Sequence, residues 1–135
     1  MKRILFLCTG NSARSQLAEA LMRHYRGNEF EVYSAGTDPK GVHPKTVAVL
    51  QEIGIDASAL RSKHINDLPV KEFDHIITLC DGAARNCPVY SGNGKKTHYG
   101  FSDPAAAVGS DEEKILASFR AVRDQIKDFI LSFEA

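Results

Sequence analysis

The passage from Ile4 to Met22 constrains this chain most, because a strand, a tight loop and a helix follow one another there without a linker. Ile4-Leu5-Phe6-Leu7 is a short apolar run of the kind that forms a buried strand, and Gln16-Leu17-Ala18-Glu19-Ala20-Leu21-Met22 propagates as a helix. Gly10 and Asn11 supply the backbone freedom that the loop between them needs. In such a loop the backbone N–H groups turn inward. Together with the positive end of the helix and the Arg14 guanidinium they make a cradle for a tetrahedral oxyanion. Thr9, Gly10, Asn11, Ser12, Ala13 and Arg14 are therefore the candidate oxyanion-binding residues. Cys8 starts the loop and lies in the same field, which favours thiolate over thiol. Ser15 can donate its hydroxyl to the sulfur. A lone buried strand-end cysteine is usually packing. A cysteine followed by five residues and Arg-Ser, between strand and helix, reads instead as a nucleophile.

The rest of the chain continues the alternation of strand and helix. The first helix fades through His24-Tyr25-Arg26 at Gly27, and Phe30-Glu31-Val32-Tyr33-Ser34 alternates as a second strand closed by Ala35-Gly36. His43-Pro44 opens a helical run through Val47, Val49, Leu50 and Ile53, with Gly54 as its C-terminal stop. A polar, irregular stretch containing Arg61-Ser62-Lys63-His64 leads to a third strand, Phe73 to Leu79, ending at Cys80. Lys96-Thr97-His98-Tyr99 reads as a short fourth strand. A last helix, from about Asp111 to Phe133, places Ile115, Leu116, Phe119, Val122, Ile126 and Ile130 on one core-facing stripe. The expected fold is α/β: a small, doubly wound, four-stranded parallel sheet with helices on both faces, which binds ligands beyond the C-terminal strand ends. Cys8, Cys80 and Asp103 fall at or just past such ends.

A length of 135 residues is expected to form one domain, 1–135, large enough to bury its own core without disulfides or metals. Seventeen basic and seventeen acidic side chains cancel, so no charge footprint for nucleic acid or an anionic membrane is present, and anion binding must be local. The opening Met1-Lys2-Arg3 precedes an apolar run too short for a signal peptide or a membrane span, which places the protein in the cytoplasm. Thiols are kept reduced there, and three cysteines suit catalysis better than structure.

Cys80 and Cys87 are separated by six residues, which fits neither a zinc knuckle nor a thioredoxin-type C-x-x-C. They are either two unrelated small apolar residues or, since both flank one strand-end loop, a redox pair. Asp103-Pro104 is a common turn, but a carboxyl near the cradle can protonate an oxygen leaving a bound oxyanion. The five histidines show no metal-ligand spacing and are read as surface or satisfied core groups. No metal site and no organic cofactor are expected.

Taken together, Cys8-Thr9-Gly10-Asn11-Ser12 with Arg14-Ser15-Gln16, Tyr33-Ser34-Ala35-Gly36, Thr78-Leu79-Cys80, Asn86-Cys87-Pro88 and Gly100-Phe101 with Asp103-Pro104-Ala105 resemble the thioredoxin-coupled arsenate reductases. Those enzymes share the low-molecular-weight protein tyrosine phosphatase fold. The resemblance implies that Cys8 attacks arsenic, that Arg14 and the loop amides hold the oxyanion, and that Asp103 protonates the departing oxygen. It implies further that Cys80 attacks Cys8 and releases arsenite, and that Cys87 then takes over by exchange. The resulting Cys80–Cys87 disulfide would be reduced by thioredoxin, while phosphate and sulfate would compete with arsenate. If residues 80–87 are helical when reduced, they advance about 10.5 Å, and closing the disulfide must unwind them.

Two departures from that family stand out. Ala13 occupies a position where many relatives carry an extra cysteine. Potassium-binding relatives use residues matching Asn11, Glu19 and Ser34 plus an acid in the region of residues 61–63, where this chain has none; the Lys63 ammonium is expected near that ion site. Two other functions remain open from the residues. One is a phosphatase working through a Cys8 phosphoenzyme, against which stand Cys80 and Cys87 and the lack of an aromatic wall at Ala105-Ala106. The other is a binding or sensing protein that captures arsenite or another soft ion through three thiols.

Overall fold

The computed structural model describes residues 1–79, 93–104 and 111–134. Cys80, Cys87 and the Ala105-Ala106 pair lie outside them. Strand β1 (Lys2–Leu7) runs through the cysteine loop into helix α1 (Arg14–Arg26), followed by β2 (Phe30–Ala35), α2 (Pro44–Gln51), a 3-10 turn at Ile65–Asp67, β3 (His75–Thr78), β4 (Lys95–His98) and α3 (Glu112–Ser132).

The sheet is parallel throughout, in the order β2-β1-β3-β4. β1 is central, with Leu7 level with Ala35 on one side and Thr78 on the other. Chain order reverses direction about β1, so the loop after it opens at the switch point, where doubly wound sheets bind their ligands. Ile4, Leu5, Phe6 and Leu7 are all fully buried, as a parallel strand covered on both faces requires.

Alternation along the strands divides the core. Ile4, Phe6, Val32 and Ile77 face α1, α2 and α3, meeting Leu17, Leu21, Val49, Leu50, Phe119, Ile126 and Ile130. Leu5, Leu7, Ala35 and Ile76 face the other way, where the chain returning from β2 to β3 covers them with Leu68 and Phe73, packed beside Ile65 of the 3-10 turn. The described α-helices thus line one face, and the second face carries the 3-10 turn. Among the described residues no helix is long and apolar enough to cross a membrane.

Several boundaries are set by capping. Helix α2 starts at Pro44, with the His43 ring accepting from Lys45 N, and ends at Gln51 instead of running on through Ile53. Gly54 adopts φ +81 and Ile55 N–H reaches back to Leu50 O, a left-handed closure that glycine makes without strain. Asp111 caps α3 through Glu113 N. On α3, Phe119, Val122, Ile126 and Ile130 are buried, whereas Ile115 and Leu116 only pack against the edge of the core.

Candidate active site

The loop from Cys8 to Ala13 is held from outside by its carbonyls. Thr9 O accepts from Asp38 N (3.0 Å), Gly10 O from Lys40 N (2.9 Å) and Ser62 Oγ (3.2 Å), and Asn11 O from Gln16 Nε2 (3.0 Å). Ser12 O accepts from His43 N (3.0 Å) and Thr46 Oγ1 (2.9 Å), and Ala13 O from Leu17 N (2.8 Å). In a trans peptide the C=O and the following N–H point to opposite sides. Carbonyls engaged outward therefore turn the amides of residues 10–14 inward. Two backbone features permit this wrapping. Asn11 sits at φ +46, a left-handed conformation that asparagine tolerates better than most residues. Gly36 passes so close that a Cβ there would stand 2.4 Å from Thr9 O and 2.8 Å from Cys8 O.

Helix α1 begins beneath this loop with no side-chain cap and no acid in its own first turn, so its positive end is left to an anion in the loop. A pocket of about 220 Å³ is lined by Cys8, Thr9, Gly10, Ser12, Ala13, Arg14, Lys40 and Asp103. Arg14 donates from Nη1 to Phe101 O (3.2 Å), and its Nη2 is 3.8 Å from Asp103 Oδ2. The β4–α3 connection thus brings the carboxyl to the cysteine loop, 95 positions further along the sequence than Cys8. A larger cleft of about 630 Å³ lies at the opposite strand ends, lined by residues such as Arg3, Glu31 and Asp74. It has no nucleophile and no ring of inward amides.

Below the pocket lies a buried polar network. Ser15 Oγ is 2.8 Å from Cys8 Sγ, and Asn11 Nδ2 donates to Ser15 Oγ (2.8 Å) and Ser34 Oγ (3.0 Å). Toward a Cys8 thiolate, which can only accept, the Ser15 hydroxyl is the donor, while its oxygen accepts from Asn11. Asn11 Oδ1 accepts from Gln16 Nε2 and Lys63 N, each at 2.9 Å. Ser34 Oγ donates to Glu19 Oε1 (2.7 Å). Glu19 is buried yet carries two cations: Arg23 Nη1 at 3.1 Å and Lys63 Nζ at 3.5 Å. Lys63 Nζ also lies 3.5 Å from Ser34 Oγ and 3.0 Å from Arg61 O. The ammonium therefore stands beside Glu19 and Ser34, two of the residues that the resemblance implies for a cation site.

The structure gathers Cys8, Thr9, Gly10, Ser12, Ala13, Arg14 and Asp103 around one pocket and sets Asn11 and Ser15 beneath it. The side chain of Asn11 is fully buried and braces the loop from beneath, which leaves its backbone amide to face the pocket. The supporting residues Ser34, Thr46, Ser62 and Gly36 carry little sequence signal beyond the Tyr33-Ser34-Ala35-Gly36 run. His43 caps α2 and stacks on Phe119, with ring centroids 4.7 Å apart, and burial together with Lys45 pushes its pKa below the usual histidine value.

Comparison with known proteins agrees with this geometry. The family profile of low molecular weight phosphotyrosine protein phosphatase matches residues 3–133. An arsenate reductase from Halalkalibacterium halodurans is 48% identical over 132 residues, spanning 98% of this chain and 94% of that protein. A solved arsenate reductase in a phosphate-binding state superimposes with a TM-score of 0.80 at 30% identity, covering 97% of this chain and 95% of the other. The thioredoxin-dependent arsenate reductase of Corynebacterium glutamicum aligns with a TM-score of 0.69 at 30% identity over 98% of this chain and 61% of its own. Full-length identity of this order, on the same fold, shows that the chain belongs to the low molecular weight phosphotyrosine protein phosphatase family, on its arsenate reductase branch.

Proposed function

We propose that this chain reduces arsenate to arsenite through a thiol cascade that draws its electrons from thioredoxin, in the service of arsenic detoxification in the cytoplasm. The observation that carries the reading is the 2.8 Å Ser15–Cys8 contact at the floor of a pocket ringed by inward amides and Arg14. The arsenate reductase relatives select reduction among the reactions that such a cradle supports.

In the first step the Cys8 thiolate attacks arsenic while the loop amides and the Arg14 guanidinium hold the remaining oxygens. Asp103 gives a proton to the departing hydroxyl, which leaves as water. The Cys80 thiolate then attacks Cys8 Sγ. The sulfur–arsenic bond breaks, and its electron pair stays on arsenic, which leaves as arsenite. Two thiols have become the Cys8–Cys80 disulfide. Cys87 attacks Cys80, restoring the Cys8 thiolate and leaving Cys80–Cys87 for thioredoxin. These electrons come from thiols alone, so the cycle calls on no metal or organic cofactor.

Phosphate and sulfate compete for the same cradle, since a ring of amides and one arginine reads tetrahedral shape and charge. For the same reason, slow hydrolysis of aryl phosphates through a Cys8 phosphoenzyme accompanies the main activity. A thioredoxin-coupled arsenate assay run beside an aryl phosphate assay tests the assignment. Thioredoxin-dependent turnover well above phosphate release is expected. Phosphate release without arsenate turnover would make the protein a phosphatase, and stoichiometric arsenite capture with neither activity would make it a binding protein.

A further inference from the structure

The oxyanion pocket has a second cation that the catalytic scheme does not use. Lys40 lines it beside Arg14, and the backbone fixes its position. Its N–H bonds Gly10 O at 2.9 Å, two residues after Asp38 N–H bonds Thr9 O at 3.0 Å. The Lys40 stem lies against Gly10, its Cγ 3.3 Å from where a Cβ on that glycine would be. Gly41 then turns the chain away at φ +87. The Lys40 ammonium rests on Asp38 Oδ2 at 2.9 Å, in a pair whose side chains are 65% and 63% exposed. Exposed pairs of this kind hold weakly, so the ammonium can exchange its partner at little cost.

Charge in the pocket supplies the reason for exchange. A multiply charged oxyanion and the Cys8 thiolate both bring negative charge, while Arg14 already faces the Asp103 carboxylate. We propose that Lys40 is an oxyanion-recruiting residue: its ammonium leaves Asp38, closes over the mouth of the pocket and contacts the bound inorganic oxyanion, favouring the more highly charged form. The inference rests on the arsenate reductase reading for its substrate, but oxyanion binding can be measured apart from turnover.

The test combines calorimetric titration of the reduced protein with inorganic phosphate and steady-state arsenate reduction, each at several ionic strengths. Lys40→Met keeps the stem and removes the charge. It is expected to weaken phosphate binding and raise the arsenate KM about threefold to tenfold, with a smaller change in kcat and a flatter salt dependence. Lys40→Arg should restore both. Asp38→Asn, which frees the ammonium, should tighten phosphate binding up to about threefold. Unchanged binding in Lys40→Met, equal losses in Lys40→Met and Lys40→Arg, or no phosphate binding by the wild type would overturn the assignment. Lys40-dependent phosphate binding without arsenate turnover would leave the recruiting role in place and overturn the reductase reading instead.

Discussion

Asn11 donates its side-chain amide to Ser15 Oγ at 2.8 Å, and that bond holds the serine whose hydroxyl meets Cys8 Sγ. The same asparagine holds its own loop, since its Oδ1 ties down Gln16 and Lys63 N. Ser15→Ala removes one hydrogen bond to the nucleophile and should lower arsenate turnover about tenfold to a hundredfold, the range for a hydrogen bond to a charged group. Asn11→Ala removes both the orientation and the brace, so it should lower turnover further and weaken phosphate binding, which Ser15→Ala should leave close to wild type. Steady-state kinetics and phosphate titration of the two variants separate these effects.

Gly36→Ala tests the close approach of β2 to the cysteine loop. The added methyl group would meet Thr9 O and Cys8 O well inside contact distance, and both are backbone atoms that cannot rotate away. The loop must shift and its amides lose their convergence, so oxyanion binding should fall at least about tenfold while the sheet persists, since overpacking of this kind costs about 1–3 kcal/mol. Phosphate titration alongside thermal unfolding reads both quantities.

The sequence exposes the strand–loop–helix unit and the later strands because their chemistry is local: apolar runs, alternation and punctuating glycines. It places Cys8, Arg14 and Ser15 for the same reason, within eight residues. What holds the loop is not local. Ser12 O is gripped by Thr46 and Gly10 O by Ser62, pairings that span 34 and 52 positions and leave no periodic trace. Lys40 carries no motif of its own, and only the fold lays it across Gly10. Asn11 shows the limit within the motif itself, because backbone freedom is visible in its residue type whereas the four partners of its side chain arrive from α1, β2 and the Arg61–His64 stretch.

Lys63 supplies a built-in cation to buried Glu19. Melting temperatures in sodium and potassium should therefore coincide for the wild type. Lys63→Met leaves Glu19 with Arg23 alone and should destabilise the fold by about 1–3 kcal/mol, less than a buried charge left with no partner. A potassium-specific rise in the wild-type melting temperature would show that the ammonium does not serve this site.

Stability should decline in mild acid. Burial lowers the pKa of His43 and His75; Lys45 pushes the same way on His43, as do Lys2 and Lys95 on His75, against Asp103 and Glu112 for the former and Asp74 for the latter. The unfolded chain therefore takes up protons first as pH falls. The contribution is complete above the ordinary histidine value of about 6.5 and is lost as pH drops from there through the lowered folded values. His43→Asn, which keeps a capping side chain, combined with His75→Phe against Phe133, should flatten denaturant midpoints between about pH 7 and pH 5.

The most direct measurement is a single turnover: fully reduced protein, arsenate, no thioredoxin, with arsenite and free thiols counted per chain. About one arsenite and the loss of two thiols per chain are expected in the wild type, none of either in Cys8→Ser, and in Cys87→Ser one arsenite with arrest at a Cys8–Cys80 disulfide. Arsenite formed by Cys8→Ser, or formed by the wild type with all three thiols still free, would contradict the thiol cascade.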